Sequence, residues 1–285
     1  MIDTSCSPAS FELALAFAKD NLQAVRKTHN DTYVGEHCFV KCFGNRQRFH
    51  SELLGNRFMG QAHTCLPVNR VNILDVDYAS FMIKYELAKA VDVFHPEVCG
   101  KTAFALHHQF GEFFDVGQLE SWEDINWMRS RYLDLNCPDI KHRFVQLMGQ
   151  YQEMKRTYGL EDVAIHSDLA LHNTLEVGGF VVVSDWEWLM RGPREWDFVG
   201  VMFNRIRYKA DSCVEKMIRE YEKMGGVVRR DVLNVLYDIR EINSLMYALD
   251  VGQRYENYQK QAMHRIDCLR DTSEEGRNKA WIIHV

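Results

Sequence analysis

The sequence predicts an α+β chain of two lobes: a small, strand-rich N-terminal lobe over 1–86 and a larger, mainly helical lobe over 87–285. Two observations carry that prediction. At 285 residues the chain is long for one core and comfortable for two. Short β-rich runs dominate before Glu86, whereas apolar residues recur at helical spacing over long segments after it.

The first lobe opens with a helix over 8–20, with Pro8 near its start and Phe11, Leu13, Leu15, Ala16 and Phe17 inside. Residues 33–34 and 37–43 flank Gly35-Glu36 and read as a hairpin, which places Lys41 within a strand. A helix follows Gly44-Asn45-Arg46 and carries Arg48, Glu52, Leu53 and Phe58. Strands over 71–76 and 79–85 turn at Asp77, and the lobes divide near 86–91. Beyond that point, 101–114, 121–133, 138–158, 212–224, 229–250 and 253–270 are helical in pattern. The strand-like segments there are 164–165, 174–177 and 180–184.

Composition narrows the function. A formal net charge of −6 argues against nucleic-acid binding, which needs a basic face. No window approaches the ~20 uninterrupted apolar residues of a membrane span. Residues 1–20 carry acids early and lack a basic leader, so a cytoplasmic location is expected rather than secretion. The eight cysteines are scattered with no C-x-x-C pair and read as buried thiols. Cys38 and Cys42 share one segment, but no His pair completes a zinc site. Oligomeric state leaves no signature in this sequence.

The chemistry concentrates between Ile165 and Asp197. His166, Asp168 and Asn173 form H-x-D-x-x-x-x-N, and the β-branched run ending at Val183 leads to Asp185. Loop, strand and acid in that order suit phosphoryl transfer from a metal–nucleotide. Asp168 would orient the acceptor hydroxyl and take its proton late. Asn173 and Asp185 would offer Mg²⁺ the oxygen ligands it prefers. His166 reads as a structural hydrogen-bonding residue. In the first lobe, Lys41 would pair the nucleotide phosphates and Glu52 would hold Lys41. Asp197, in R-E-W-D-F, has two readings. It is either a helix-start acid worth ~0.3–1 kcal/mol or a carboxylate bracing the Asp168 loop.

With these residues the chain resembles the aminoglycoside phosphotransferase and choline kinase-like family, which has a bilobal protein-kinase-like fold. The resemblance rests on His166-Ser167-Asp168 through Asn173, then Asp185-Trp186-Glu187, then Gly192-Pro193 and Trp196-Asp197. It implies catalytic Asp168, metal-binding Asn173 and Asp185, structural Asp197, and the pair Lys41 and Glu52. It also implies a hinge at Lys84-Tyr85-Glu86 whose backbone holds the purine. Two departures stand out. Residues 27–32, before the first hairpin, contain no glycine, although a phosphate-covering loop usually relies on one. Ser167 stands where the family usually has glycine.

The expected activity is Mg²⁺-dependent transfer of the γ-phosphoryl group of ATP or GTP to a hydroxyl of a small, cationic metabolite or antibiotic. Trp186 and Trp188 would hold such a cation by cation–π attraction, or else pack the lobe. Glu112, Asp115, Glu120, Glu123, Asp124, Asp134 and Asp139 would line its pocket, or else form solvated helix faces. One alternative is a larger acceptor, a lipopolysaccharide sugar or a protein, met by Arg129, Arg131, Lys141, His142 and Arg143. Another is a nucleotide-binding pseudokinase, for which the glycine-free segment speaks.

Overall fold

The structure, a computed structural model, describes residues 8–20, 22–27, 30–62, 71–210, 213–253, 256–271, 273 and 280–281. In chain order the elements of the first stretch are α1 (Pro8–Ala18), β1 (Gln23–Lys27), β2 (Asn30–Val34), β3 (Cys38–Phe43), α2 (Arg46–Gln61), β4 (Ile73–Asp77), β5 (Met82–Glu86) and β6 (Lys89–Ala90). Next come α3 (Pro96–Phe113), α4 (Trp122–Arg129), α5 (Arg131–Asn136), α6 (Pro138–Tyr158), β7 (Val163–Ile165), β8 (Thr174–Val177), β9 (Phe180–Val183) and β10 (Met190–Gly192). The chain closes with α7 (Trp196–Tyr208), α8 (Val214–Lys223), α9 (Arg230–Gly252) and α10 (Glu256–Arg270). An α+β chain with a strand-rich first part and a helical second part is what the sequence predicts.

Contacts group the chain into two units. One holds the described residues up to Asp92 together with His172–Leu189, and the other holds Val93–Leu171 and everything from Met190 on. The segment 172–189 thus departs from the single lobe over 87–285 read from the sequence. The reason is apolar: Val182 is buried with Phe43, Phe49, Leu53, Ile83 and Tyr85, and Leu175 and Val177 pack against them.

The first unit is built on an antiparallel sheet in the order β1-β2-β3-β5-β4. Tyr33, Cys38, Val40 and Met82 on one face meet Ala14 and Ala18 of α1. The other face carries Phe43, Ile83 and Tyr85 against Phe49 and Leu53 of α2. Alternation along β3 therefore sends Lys41 to the α2 side. Asp20 braces the β2–β3 turn, accepting from His37 N–H at 2.9 Å. α2 starts where Asn45 Oδ1 accepts from Arg48 N–H at 2.9 Å. At the β4–β5 turn, Asp77 Oδ1 accepts from the Ala79 and Ser80 amides.

β8 and β9 form a hairpin whose two-residue loop, Gly178-Gly179, has φ of 57° and 83°. Glycine occupies such a loop without strain. Its register pairs Thr174 with Val183, and beyond that pair Ser184 N–H donates to the Asn173 carbonyl at 2.9 Å.

In the second unit, α9 packs against α6, α7 and α10, and α3 packs against α8 and β7. The helix expected over 121–133 is broken into α4 and α5 at Ser130. Its hydroxyl bonds back to the Trp127 carbonyl at 2.7 Å, and Lys141 Nζ takes its carbonyl at 3.1 Å. β1, β6 and β10 have no counterpart in the sequence reading. β6 and β10 are two and three residues long and exist through their partners β8 and β7. Among the described residues no helix is long and apolar enough to cross a membrane. Among the described residues Cys38, Cys42, Cys99, Cys137, Cys213 and Cys268 form no disulfide, while Cys6 and Cys65 lie outside the described residues.

Gly55 marks the closest approach of α2 to the turn after β9. A Cβ there would stand 2.3 Å from Trp186 Cγ. Gly55→Ala should therefore destabilise the protein by about 1–3 kcal/mol, read as a lower urea midpoint. An unchanged midpoint would refute the tight packing.

Candidate active site

Four charged side chains converge in the first unit. Lys41 Nζ is ion-paired with Asp185 Oδ1, lies 3.2 Å from Glu187 Oε2 and lies 3.5 Å from Glu52 Oε2. Lys41 is 8% exposed and Glu52 3%. Burial by itself would push the lysine ammonium down. Asp185, then Glu52 and Glu187, reverse this and hold it well above the usual lysine range. Glu187 is pushed up by burial, with Lys41 opposing and Asp185 and Glu52 reinforcing the rise. One cation thus faces three carboxylates, leaving a formal excess of two negative charges.

Three parts of the chain deliver them, Asp185 and Glu187 sharing the turn after β9. Lys41 stands on β3 and Glu52 on α2. Tyr85 on β5 donates its hydroxyl to Glu52 Oε1 at 2.8 Å, and Asn56 Nδ2 reaches the same oxygen at 3.3 Å. Burial first, then Glu52, holds the Tyr85 hydroxyl well above its ordinary value, so it stays a neutral donor. Asp185 follows β9 in the left-handed region at φ 64°, ψ 58°. That backbone is costly for a residue other than glycine. The β8–β9 register brings Asn173, which is 2% exposed, to the same end of the hairpin.

α2 also holds the acidic turn by its backbone. Arg48 donates to the Glu187 carbonyl at 3.0 Å and its guanidinium covers the Trp188 ring. Ser51 Oγ donates to the Leu189 carbonyl at 3.3 Å. Trp186 is fully buried.

The donor set suits Mg²⁺. Asn173 and Asp185 offer oxygen ligands, and the excess negative charge around Lys41 favours a divalent cation. Among the described residues no three His, Cys, Asp or Glu side chains form a metal cage. Mg²⁺ needs none, since it combines one or two carboxylates with water and phosphate oxygens.

The proposed hinge residues have different occupations. Lys84 Nζ donates to the Ala18 carbonyl at 2.6 Å. Tyr85 serves Glu52. Glu86 N–H donates to the Asn72 carbonyl at 3.0 Å, while Glu86 Oε1 accepts from Asn72 N–H at 2.9 Å. All three lie in β5 between β3 and β4, so sheet ladders engage their backbone. The chain leaves the strand only at Leu87-Ala88. Of the glycine-free segment, residues 28 and 29 and the side chains of Lys27 and Asn30 lie outside the described residues.

In the second unit, Asp168 lies in the loop after β7. Asp197, in the first turn of α7 and 1% exposed, reaches that loop. It accepts from Ser167 N–H at 2.7 Å and His166 N–H at 3.1 Å. His107 Nε2 lies 3.0 Å from the same carboxylate, and His107 Nδ1 lies 3.0 Å from the Tyr221 hydroxyl. A carboxylate only accepts, so Nε2 carries a proton. Of the two readings of Asp197, this geometry fits the brace. Ser167 has φ 65°, in the left-handed region that favours glycine. His166 is fully buried, and its Nδ1 lies 3.4 Å from Asp168 N. Gly192 permits close packing in the G-P segment, since a Cβ would stand 2.6 Å from Trp122 Cβ. Asp168 Oδ1 accepts from Arg240 at 3.1 Å.

Arg48, His107 and Arg240 were not read from the sequence, and Glu187 was read only as part of a motif. Glu187 had a signal, the second acid of D-x-E. The other three reach their partners across long separations and leave no spacing to find.

No family model matches the sequence, and no curated protein matches it. Solved structures do match. A choline/ethanolamine kinase family protein from Mesorhizobium loti superposes with a TM-score of 0.68 at 19% identity, covering 95% of this chain and 96% of that one. Choline kinase LicA from Streptococcus pneumoniae gives 0.65 at 11% identity, over 91% and 98% of the two chains. The GDP and kanamycin complex of APH(2")-IIIa gives 0.64 at 10% identity, over 92% and 98%. The chain therefore has the fold of these small-molecule phosphotransferases.

Two outcomes test this geometry. Lys41→Ala leaves three carboxylates without their cation and should cost about 3–5 kcal/mol near neutral pH. The folded state then holds protons that the unfolded chain releases, so stability falls as pH rises from the ordinary Glu value through the raised one. The loss in Tm relative to wild type should thus be smaller at about pH 5.5 than at about pH 7.5; an equal or larger loss would refute it. Asp197→Asn replaces an acceptor oxygen by a donor and should cost about 1–3 kcal/mol. Amide exchange at His166 and Ser167 should accelerate, and unchanged protection would exclude the brace.

Proposed function

We propose that this chain is a Mg²⁺-dependent phosphotransferase that moves the γ-phosphoryl group of ATP or GTP to a hydroxyl of a small molecule. The observation that carries the reading is the ion-paired Lys41–Asp185 contact, buried in a strand-built unit with Glu52 and Glu187. A buried lysine shared among carboxylates is an expensive arrangement for stability alone. It is apt for a site that must handle polyphosphate and a divalent cation.

In this reading, Lys41 pairs the nucleotide phosphates and Glu52 limits its motion. Asn173 and Asp185 hold Mg²⁺, which when bound neutralises phosphate charge. The backbone from Glu86 to Ala88 receives the purine. Asp168 orients the acceptor hydroxyl and takes its proton as the oxygen–phosphorus bond forms. The bond from the γ-phosphorus to the bridging oxygen breaks, and nucleoside diphosphate leaves. Asp197 and His166 keep the Asp168 loop in shape. The related folds have been captured with GDP and kanamycin and with ATP and streptomycin, which supports a nucleotide substrate here.

A cationic acceptor finds little support in the side chains expected to hold it. Trp186 is buried and Trp188 is covered by Arg48. Glu112, Asp115, Asp124, Asp134 and Asp139 are exposed, and the last two pair with Lys141 and Arg270. Glu120 and Glu123 of the same group are half-buried.

Nucleotide should raise Tm only modestly without Mg²⁺ and by several degrees with it. Asp185→Asn should erase the metal-dependent part. Asp168→Asn should keep the shift and lower transfer by ~10³-fold or more. Metal-dependent binding with no transfer to any acceptor would favour the pseudokinase.

A further inference from the structure

The acceptor side of the site has its own charge pattern. Arg240 on α9 donates from one terminal nitrogen to Asp168 Oδ1 at 3.1 Å. The Trp196 and Phe203 ring centroids lie 5.6 and 5.8 Å from its guanidinium carbon, so packing as well as Asp168 fixes its position. A guanidinium carries five N–H donors in a rigid fork that fits carboxylate and phosphate oxygens side-on. Asp168 takes one of them. The Nε–H is buried and meets no acceptor among the described residues. A buried donor without a partner is uncommon and calls for an explanation.

A second guanidinium, that of Arg129, feels the charge of Arg240. Arg129, on the last turn of α4, is held below the usual arginine range by burial first and by the charge of Arg240, with Asp250 opposing. α4 is tied to α9 by Asn243 Nδ2, which donates to Asn126 Oδ1 at 2.7 Å. Asp250 is engaged by the Tyr132 hydroxyl at 2.7 Å. An ammonium brought beside Asp168 would meet the Arg240 guanidinium, and an oxyanion would be attracted by it; the charge of Arg129 is offset by Asp250 and Glu120.

We propose that Arg240 is a specificity residue that binds an oxyanion of the acceptor, so that the phosphorylated molecule carries a carboxylate or phosphate group near its reactive hydroxyl. The inference rests on the phosphotransferase reading and names the substrate class of that site. Arg240, whose side chain is partly exposed, keeps one donor on Asp168 and offers the remaining terminal donors of its fork to the acceptor. The oxyanion then anchors the acceptor with its hydroxyl beside the carboxylate that takes the proton.

The test uses the full chain with Mg²⁺ and ATP, and acceptors on one carbon skeleton: glycerol, glycerate, glycerol phosphate and aminopropanediol, with choline beside them. Binding is followed by saturation-transfer NMR and transfer by mass spectrometry. Glycerate or glycerol phosphate should bind saturably, and whichever does so identifies the oxyanion. Arg240→Gln should weaken that binding ~10-fold or more, and Arg240→Lys, which keeps the charge but loses the fork, should weaken it less. Melting curves of both variants check that they fold. The proposal is overturned if neither oxyanion binds, if binding survives Arg240→Gln, or if aminopropanediol or choline is the preferred acceptor. Arg240-dependent binding with no phosphoryl transfer to any compound would instead reject the phosphotransferase reading and leave the oxyanion site standing.

Discussion

The buried charge on Lys41 is the constraint around which the first unit is arranged. A lysine inside an apolar strand survives only if opposite charge surrounds it, and three carboxylates do so from α2 and from the turn after β9. Those carboxylates are themselves desolvated, as the raised Glu187 carboxyl records. Each charge therefore requires the others. The requirement ties β3, α2 and the β8–β9 hairpin into one unit although more than 100 residues separate Lys41 from Asp185.

Rigid elements then fix the side chains around that charge and the Asp168 loop. A glycine-looped hairpin sets Asn173 and Asp185 at one end of two paired strands. Arg48 and Ser51 grip the backbone of the acidic turn, and Trp186 fills the space under Gly55. In the second unit, Asp197 gathers two successive amides and the His107 imidazole to define the Asp168 loop. Both loops contain a non-glycine residue at positive φ, Ser167 and Asp185. Such conformations cost ~1–2 kcal/mol each and persist where the surroundings over-determine them.

The fold itself is silent on the acceptor. Structures that share it include a choline kinase, aminoglycoside enzymes and macrolide 2'-phosphotransferases, at identities of 10–14% to this chain. Acceptor chemistry on such a scaffold is decided by a few side chains. In this chain a cation, Arg240, held by aromatic packing, pairs with Asp168.

The sequence by itself determined the fold class, the order of the main helices and strands, and the short-range pattern from His166 to Asp197. Those features follow from periodicity and spacing, which are local properties. A glycine pair marks the β8–β9 turn, Asn45 caps α2, and Lys41 stands out in an apolar run. Only the tertiary structure decided the rest. It moved residues 172–189 into the first unit, because their apolar side chains complete its core. It split the helix at Ser130 through a lysine from α6. It brought Arg48, His107 and Arg240 to their partners, buried Trp186 and laid Arg48 over the Trp188 ring. Each of these depends on contacts between residues far apart in the chain, and a single sequence carries no record of which distant side chains will meet.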